Sequence, residues 1–587
     1  MRQAVAEAVG RYGKERSAVL AVLRALQKRF GYLPMHALDE VAKALELPLA
    51  QVQGVAEFYS FLAMRPQGQY RVFFSTCIVD EFKGRAALQE RLCARLGVPP
   101  GQTRADGRVS VNEAACTGLC DQGPSLLVNG WPIARLTPES IDAIACFIDQ
   151  GVPLEEWPRE WFAVQDSFRV RGLQLNAPWR SGAALKRALR HGPEFLLREL
   201  EVSGLRGRGG AGFPTAAKWR YCREAQGERC VVCNADEGEP GTFKDRELLK
   251  HCADQVFEGM TLAAWATGAQ KGFLYLRGEY EFLWPHLEQV LRGRRRRGLL
   301  GRNLCGLAGF HFDIAVVVGA GAYICGEESA LLNSIEGRRG TPRNRPPYPV
   351  THGLCGQPTV VNNVETFFSA ALIALHGGAW FAQAGTAKSR GTRLFSISGD
   401  CAWPGIYELP WGISVQEALE LCGADDALGV QVGGPSGAFV GPRDFHRRLA
   451  FEDLPTGGSF MVFSRQRKLL DIVENFSAFF AHESCGFCTP CRVGTQLQLK
   501  LVRKLRRGWG TLGDLQELER LGQVLEASHC GLGHTAAHPV RTTLAAYPEV
   551  YQAALREIDF SPGFDLDAEL ETARQLTGRF ADHLAQE

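Results

Sequence analysis

The chain has 587 residues, 45% of them hydrophobic and 22% charged, with a formal net charge of +2. That length is too great for a single hydrophobic core, so several domains are expected. The balanced charge argues against a dedicated nucleic-acid or acidic-membrane surface. The opening MRQAVAEAVGRYGKER carries charges throughout and no apolar segment, which is not a secretory signal. Eighteen cysteines without an export signal point to a reducing, cytoplasmic setting where thiols ligate metal or are buried.

Helical periodicity opens the chain, through Val19, Leu20, Val22, Leu23 and Leu26 and then Leu38, Val41 and Leu45, with Pro34 and Pro48 as breaks. From Tyr70 the pattern becomes RVFFSTC, a buried strand ending on Cys77. A helix (86–96) follows, then VSVNEAACTGLC with Cys116 and Cys120, then SLLVNGWPIARL. This order suggests a thioredoxin-like α/β unit with cysteines at strand ends. Residues 151–175 carry proline and tryptophan and read as a linker. Next comes GLRGRGGAGFPTAAKW, in which Gly207, Gly209 and Gly212 satisfy G-x-G-x-x-G. The preceding EFLLRELEVS reads as helix, so a Rossmann turn is not supported. The glycines still expose backbone N–H groups ahead of a helix starting near Thr215, and Arg206, Arg208 and Lys218 add positive charge, which suits a phosphate-bearing ligand.

Asn234, Asp236, Glu237 and Glu239 emerge from a strand at 230, and FLYLRGEY and FDIAVVV read as further strands. Glu327 and Glu328 open a helix, where capping is the ordinary role of an acid. The arginine run 292–297 reads as a solvated loop. Thr366 to Ala387 carries no formal charge, but Gly377-Gly378 breaks it at about half a membrane span, so a buried helix and turn are expected. Near the end, Cys485, Cys488 and Cys491 form C-x2-C-x2-C, and Cys530 follows in HCGLG. Three thiolates so spaced, with a remote fourth, suit a [4Fe–4S] cluster, against the alternative of a four-cysteine zinc site. The other eleven cysteines outside this set and Cys77, Cys116 and Cys120 lack ligand spacing and are expected as buried thiols.

Together GRGGAGFPT, CNADEGEPGTFKDR, GAGAYICGEESAL, PTVVNNVET and ESCGFCTPCR closely resemble the FMN- and NADH-binding subunit of the respiratory NADH dehydrogenase, over residues 175–550. Residues 1–150 resemble that enzyme's small thioredoxin-like [2Fe–2S] subunit. Its fourth ligand position is occupied here by Phe82, leaving Cys77, Cys116 and Cys120, with Asp80 or Glu81 as candidates for an oxygen ligand. Fusion of the two parts in one chain resembles the flavoprotein (diaphorase) subunits of soluble NAD-reducing [NiFe] hydrogenases. The resemblance implies an α/β multidomain chain: an N-terminal helical region (1–65), a thioredoxin-like domain (66–150), the linker, and an FMN/NADH-binding domain (176–385) that is Rossmann-like without the standard dinucleotide fold. A β-grasp domain (386–457) and a four-helix bundle with the [4Fe–4S] site and a C-terminal tail (458–587) complete it.

It also implies the site. FMN would lie on Gly207, Arg208, Gly209, Gly210 and Gly212 with Lys218, Asn362, Asn363 and Thr366, and touch Asn234, Asp236, Glu237, Tyr323, Gly326 and Glu327. NADH would stack on the flavin among Phe213, Tyr221 and Tyr348, anchored by Glu239, Glu328 and Arg345. The implied function is hydride exchange between NAD(H) and FMN, with no general acid or base, and single-electron exchange between FMN and iron–sulfur clusters. Implied partners are an iron–sulfur electron-transfer subunit and hydrogenase subunits, with no membrane span and no nucleic acid. A respiratory or formate-dehydrogenase NADH module is the near alternative, and a zinc-stabilised nucleic-acid-binding protein the distant one.

Overall fold

The structure, a computed structural model, describes residues 1–556 and 566–579. Part of the tail expected within 458–587 therefore lies outside the described residues. Helices Arg2–Tyr12, Val19–Phe30, Met35–Ala44 and Leu49–Ala56 bury the predicted apolar stripe, Val22, Leu23, Leu38 and Val41 being fully enclosed. Strands β1 (Tyr70–Ser75), β2 (Val109–Ala114), β3 (Leu126–Val128) and β4 (Trp131–Ile133) form a sheet ordered β2-β1-β3-β4, parallel between β1 and β2. Cys77 and Cys116 follow directly on β1 and β2, so parallel pairing brings both thiols to one edge.

The stretch expected as a linker is more closely held than its composition suggests. Trp157 is buried against Tyr70 and Phe147, and β5 (Phe168–Val170) pairs with a strand of a later sheet. Apolar rings and spare backbone donors find partners on both sides, so the segment is clamped at each end.

A parallel sheet ordered β8-β7-β6-β9 is built from β6 (Cys230–Ala235), β7 (Lys271–Leu276), β8 (Asp313–Val318) and β9 (Thr359–Asn363). Val231, Val232, Leu274 and Val360 are fully buried, as strands covered on both faces require. Helix Val364–His376, mostly apolar and enclosed on every side, packs into this core beside Ala253–Thr267. No described helix is long and apolar enough to cross a membrane. The arginine run proves to be the end of helix Trp284–Arg296 rather than a loop. Arg294 is fully buried between Asp254 (2.8 Å) and Glu258 (3.2 Å), so paired acids on a neighbouring helix make the charge tolerable.

The third sheet is ordered β13-β12-β14-β10-β11-β5, from β10 (Thr392–Gly399), β11 (Gly405–Pro410), β12 (Ala427–Val432), β13 (Ala438–Val440) and β14 (Ser459–Ser464). β14 lies past the expected boundary at 457 because SFMVFS, wholly apolar at its centre, sits between β12 and β10. Helices Leu469–Glu483, Thr489–Arg506, Leu512–Glu526 and His538–Ala546 follow, the third started by a Thr511–Asp514 capping box.

Candidate active site

Ligand sites on parallel sheets lie beyond the carboxyl ends of the strands, and that is where this chain opens a cavity of about 660 Å³. Asn234, Asp236, Glu237 and Glu239 leave the end of β6, Asn363 closes β9, and Tyr323, Gly326 and Glu327 follow β8. Gly209 and Gly210 supply another wall. Their loop is pinched shut by the Gly207 N–H donating to the Phe213 carbonyl (2.8 Å). Gly210 has φ +124°, and a Cβ on Gly212 (φ +65°) would stand 2.4 Å from the Phe451 ring, so side chains are excluded at both places.

Several expected residues stand outside this cavity. The Arg208 guanidinium is buried under Trp411 and Phe381, donating to the carbonyl of Thr392 (3.1 Å), while its N–H donates to Thr366 Oγ1 (2.9 Å). These two tie the glycine loop to the protein. Asn362 accepts from the Trp219 indole (2.8 Å). Glu327 caps its helix through Ser329 N–H (2.9 Å) and Ala330 N–H (3.0 Å), the ordinary role of an acid there, and still lines the cavity. Lys218 reaches Glu328 (3.0 Å), and Arg345 lies near Glu327 (3.3 Å) and Glu328 (3.8 Å). Phe213, Tyr221 and Tyr348 are about half exposed at 45%, 51% and 55%, apolar surface left open for a planar ligand.

Sequence reasoning misses Lys244, although it lies in the quoted GTFKDR. Its ammonium is buried in the cavity wall between Asp245 (2.6 Å) and Glu365 (3.1 Å). A lysine shortly after a glycine turn gives no pattern signal, because its burial depends on Glu365 from another helix. Thr242 and Ser436 escape likewise. Thr242 Oγ1 is buried in the cavity wall without a hydrogen-bond partner, which fits a polar ligand there. Burial pushes Glu237 up to about 8 and Glu239 up to about 7, and holds Asp236 far above the carboxylate range. Glu237 is held by backbone N–H groups of Asp245 (2.8 Å) and Arg246 (3.1 Å) and by the Tyr280 hydroxyl (3.0 Å).

A second, smaller cavity holds Cys485, Cys488, Cys491 and Cys530. The first three come from the loop and first turn entering helix Thr489–Arg506, and Cys530 precedes the turn Gly531–Thr535. No three of these sulfurs lie within 4.8 Å of one another. One tetrahedral zinc with bonds of about 2.3 Å would draw all four to about 3.8 Å apart, whereas a four-iron cube holds them wider. Burial pushes Cys491 up to about 12 and Cys530 up to about 11, so without a metal these thiols hold their protons at neutral pH, and a bound metal would displace them. Ile324 and Leu532 form a wall common to this cavity and the larger one.

At the remaining edge, Cys77, Cys116 and Cys120 converge, with sulfurs 3.6 Å apart for Cys77–Cys120 and 3.4 Å for Cys116–Cys120. Phe82 packs edge-on to Phe463 under the Arg467 guanidinium, so its position offers no ligand. Glu81 is ion-paired with Arg85. Asp80 is 1% exposed, and its Oδ1 has no hydrogen-bond partner, while Ser125 donates to Oδ2 (3.2 Å). Of the two candidate acids, only Asp80 keeps a free buried oxygen at this edge. The thiol unit docks on the flavin-side sheet through Arg246, which pairs with Asp121 (2.8 Å), and Arg277, which donates to the Cys116 carbonyl (2.6 Å).

Residues 200–371 match the family described as Nuo51 FMN-binding domain, 5–147 the thioredoxin-like [2Fe-2S] ferredoxin, and 471–554 the NADH-ubiquinone oxidoreductase-F iron-sulfur binding region. The NAD-reducing hydrogenase HoxS subunit alpha of Cupriavidus necator is 42% identical over 577 residues, covering 95% of this chain and 96% of that one. An NADH-quinone oxidoreductase subunit of Escherichia coli is 38% identical over 62% of this chain and 85% of its own length. A crystal structure of NAD+-reducing [NiFe]-hydrogenase in the H2-reduced state superposes with a TM-score of 0.88 at 44% identity, covering 97% of this chain and 99% of that one.

Proposed function

The chain belongs to the family of the alpha subunits of NAD-reducing hydrogenases, and from that premise we propose how its own residues serve NADH oxidation and NAD+ reduction. It is an oxidoreductase subunit working with FMN, iron–sulfur clusters and NAD(H), in a hetero-oligomer with hydrogenase and electron-transfer subunits. FMN supplies the conversion between a hydride pair and single electrons. The observation that carries this reading is the wall of Ile324 and Leu532 common to the flavin-sized cavity and the four-cysteine cavity. Electrons leaving one site need cross only that apolar layer.

In this reading Gly209, Gly210, Asn234, Asp236, Thr242, Lys244 and Asn363 hold FMN, and the buried Lys244 ammonium sets a positive charge beside it. The aromatic faces of Phe213, Tyr221 and Tyr348 receive the nucleotide, with Glu239, Glu328 and Arg345 orienting it. Cys485, Cys488, Cys491 and Cys530 hold the [4Fe–4S] cluster. Cys77, Cys116 and Cys120 with Asp80 supply a four-donor set for a [2Fe–2S] cluster, in which Asp80 replaces the missing cysteine. The protein works in the cytoplasm.

The hydrogenase reading is favoured over a respiratory module because the respiratory relative aligns with only 62% of the chain, and the hydrogenase subunit with 95%. The test is purification of the native assembly followed by NAD+ reduction with hydrogen or formate as donor. Hydrogen-dependent reduction is expected. Formate-dependent reduction without a hydrogen-dependent one would overturn the assignment.

A further inference from the structure

We propose that Asp166, Glu247 and His251 form a divalent-metal site of zinc type that staples the connector between the thiol unit and the flavin domain. The three side chains present one ligand atom each, all within 4.8 Å of one another. Glu247 and His251 lie one turn apart on helix Lys244–His251, which puts both on one face, and Asp166 reaches them from the connector just before β5. His251 Nε2 stands 3.5 Å from a Glu247 oxygen and 3.8 Å from an Asp166 oxygen. Those separations are too long for good hydrogen bonds, whose heavy atoms sit at about 2.7–3.2 Å. They approach the edge of a tetrahedron around one zinc, about 3.4 Å for bonds near 2.0–2.1 Å.

The Glu247 side chain is fully buried. Its Oε1 is held by Arg246 (2.8 Å), and its Oε2 accepts from the Ser167 N–H at 3.4 Å and faces His251 Nε2 at 3.5 Å. Asp166 Oδ1 accepts from the Phe168 N–H (3.1 Å), and the Phe168 ring packs on the His251 ring at 5.6 Å between centroids. Lys250 is turned away to the Val164 carbonyl (2.7 Å). His286 has its basicity held down first by burial and then by the nearby His251. One imidazole with two carboxylates is a donor set for a borderline divalent cation, and water fills the fourth position. Through Glu247 and Arg246 the ion reaches Asp121, next to Cys120, so occupancy stiffens the docking of the thiol edge.

The test uses the full chain carrying its iron–sulfur clusters, so that the cluster cysteines are occupied, dialysed against zinc chloride and then zinc-free buffer. Zinc per chain is counted by mass spectrometry for the unaltered protein, His251→Ala and Asp166→Asn. The unaltered chain is expected to keep about one zinc more than either variant. Zinc should also slow proteolytic cutting of the connector near residues 163–167 in the unaltered chain and in neither variant. Asp166 is half exposed, so its amide variant leaves the fold intact. Equal zinc in all three proteins overturns the proposal, because zinc on thiols would not depend on His251 or Asp166.

Discussion

As the proposed nucleotide anchor, Glu239 should set a pH-dependent choice between NADH and NADPH. Glu239 accepts from the Tyr323 hydroxyl and from the Ser436 N–H (2.9 Å), and burial pushes it up to about 7. It is therefore largely neutral at pH 6 and anionic at pH 8. Each unit of charge on a 2′-phosphate at roughly 5 Å, at an effective dielectric of about 20, meets a repulsion of about 3 kcal/mol from the anion. That would raise the acid by about two pKa units on binding. Protonation is then the easier route, so the penalty becomes the cost of proton uptake: nearly nothing at pH 6 and about tenfold at pH 8. Glu328 adds little, since Lys218 and Arg345 already lie against it. The ratio of kcat/KM for NADH over NADPH should thus rise about tenfold from pH 6 to pH 8. The phosphate's own ionisation near pH 6 acts in the same direction, so Glu239→Gln is the control and should flatten most of the rise. A flat ratio in the unaltered protein, or an equal slope in Glu239→Gln, refutes the reasoning.

Cys488→Ser should abolish the [4Fe–4S] signal in electron paramagnetic resonance and stop reduction of the partner subunits, while NADH–dye activity drawn directly from flavin partly survives. Normal partner reduction with verified composition would remove Cys488 from the ligand set. Cys116→Ala should lower iron by about two atoms per chain, the content of a [2Fe–2S] cluster, and spare NADH oxidation and partner reduction. Asp80→Asn should shift the spectrum of that same centre, and unchanged iron in Cys116→Ala would leave the thiols as a relic. Arg246→Met should loosen the docked thiol unit by about 3–5 kcal/mol, because it strands two buried carboxylates. Hydrogen exchange at residues 116–122 measures this, and protection equal to that of the unaltered chain would count against it.

What can be read from the sequence divides along the range of the interactions involved. The stripe of Val19 to Leu45, the glycine loop and the C-x2-C-x2-C triplet are local patterns, and local patterns carry their own physics: periodic burial, positive φ, ligand spacing. Arg294 escapes such a reading because its burial depends on Asp254 and Glu258, residues about forty positions away whose spacing from it has no helical meaning. Lys244 escapes for the same reason, its partner Glu365 being brought across by the parallel pairing of β6 with β9. Arg208 depends on the same long-range packing. A cation in a glycine-rich loop reads as a phosphate ligand, yet its guanidinium lies between Trp411 and the Thr392 carbonyl, supplied by β10 and the turn just after β11 about two hundred residues later.

Ile324 and Leu532 give no signal for the same reason. Each is an ordinary apolar residue in its own segment, and neither carries a reactive group. They come together only because the turn after β8 and the turn after Cys530 meet between two cavities. The glycine loop and the four cysteines stand out by their chemistry, and the apolar layer between the two cavities does not. Electron transfer depends on that layer's thickness and packing, so substitutions at Ile324 belong with the ligand variants as probes of function. Ile324→Ala, which opens the wall without touching a donor, should slow partner reduction while leaving both cofactor contents unchanged. Partner reduction at the unaltered rate, with FMN and iron verified, would mean that electrons leave the flavin by another route.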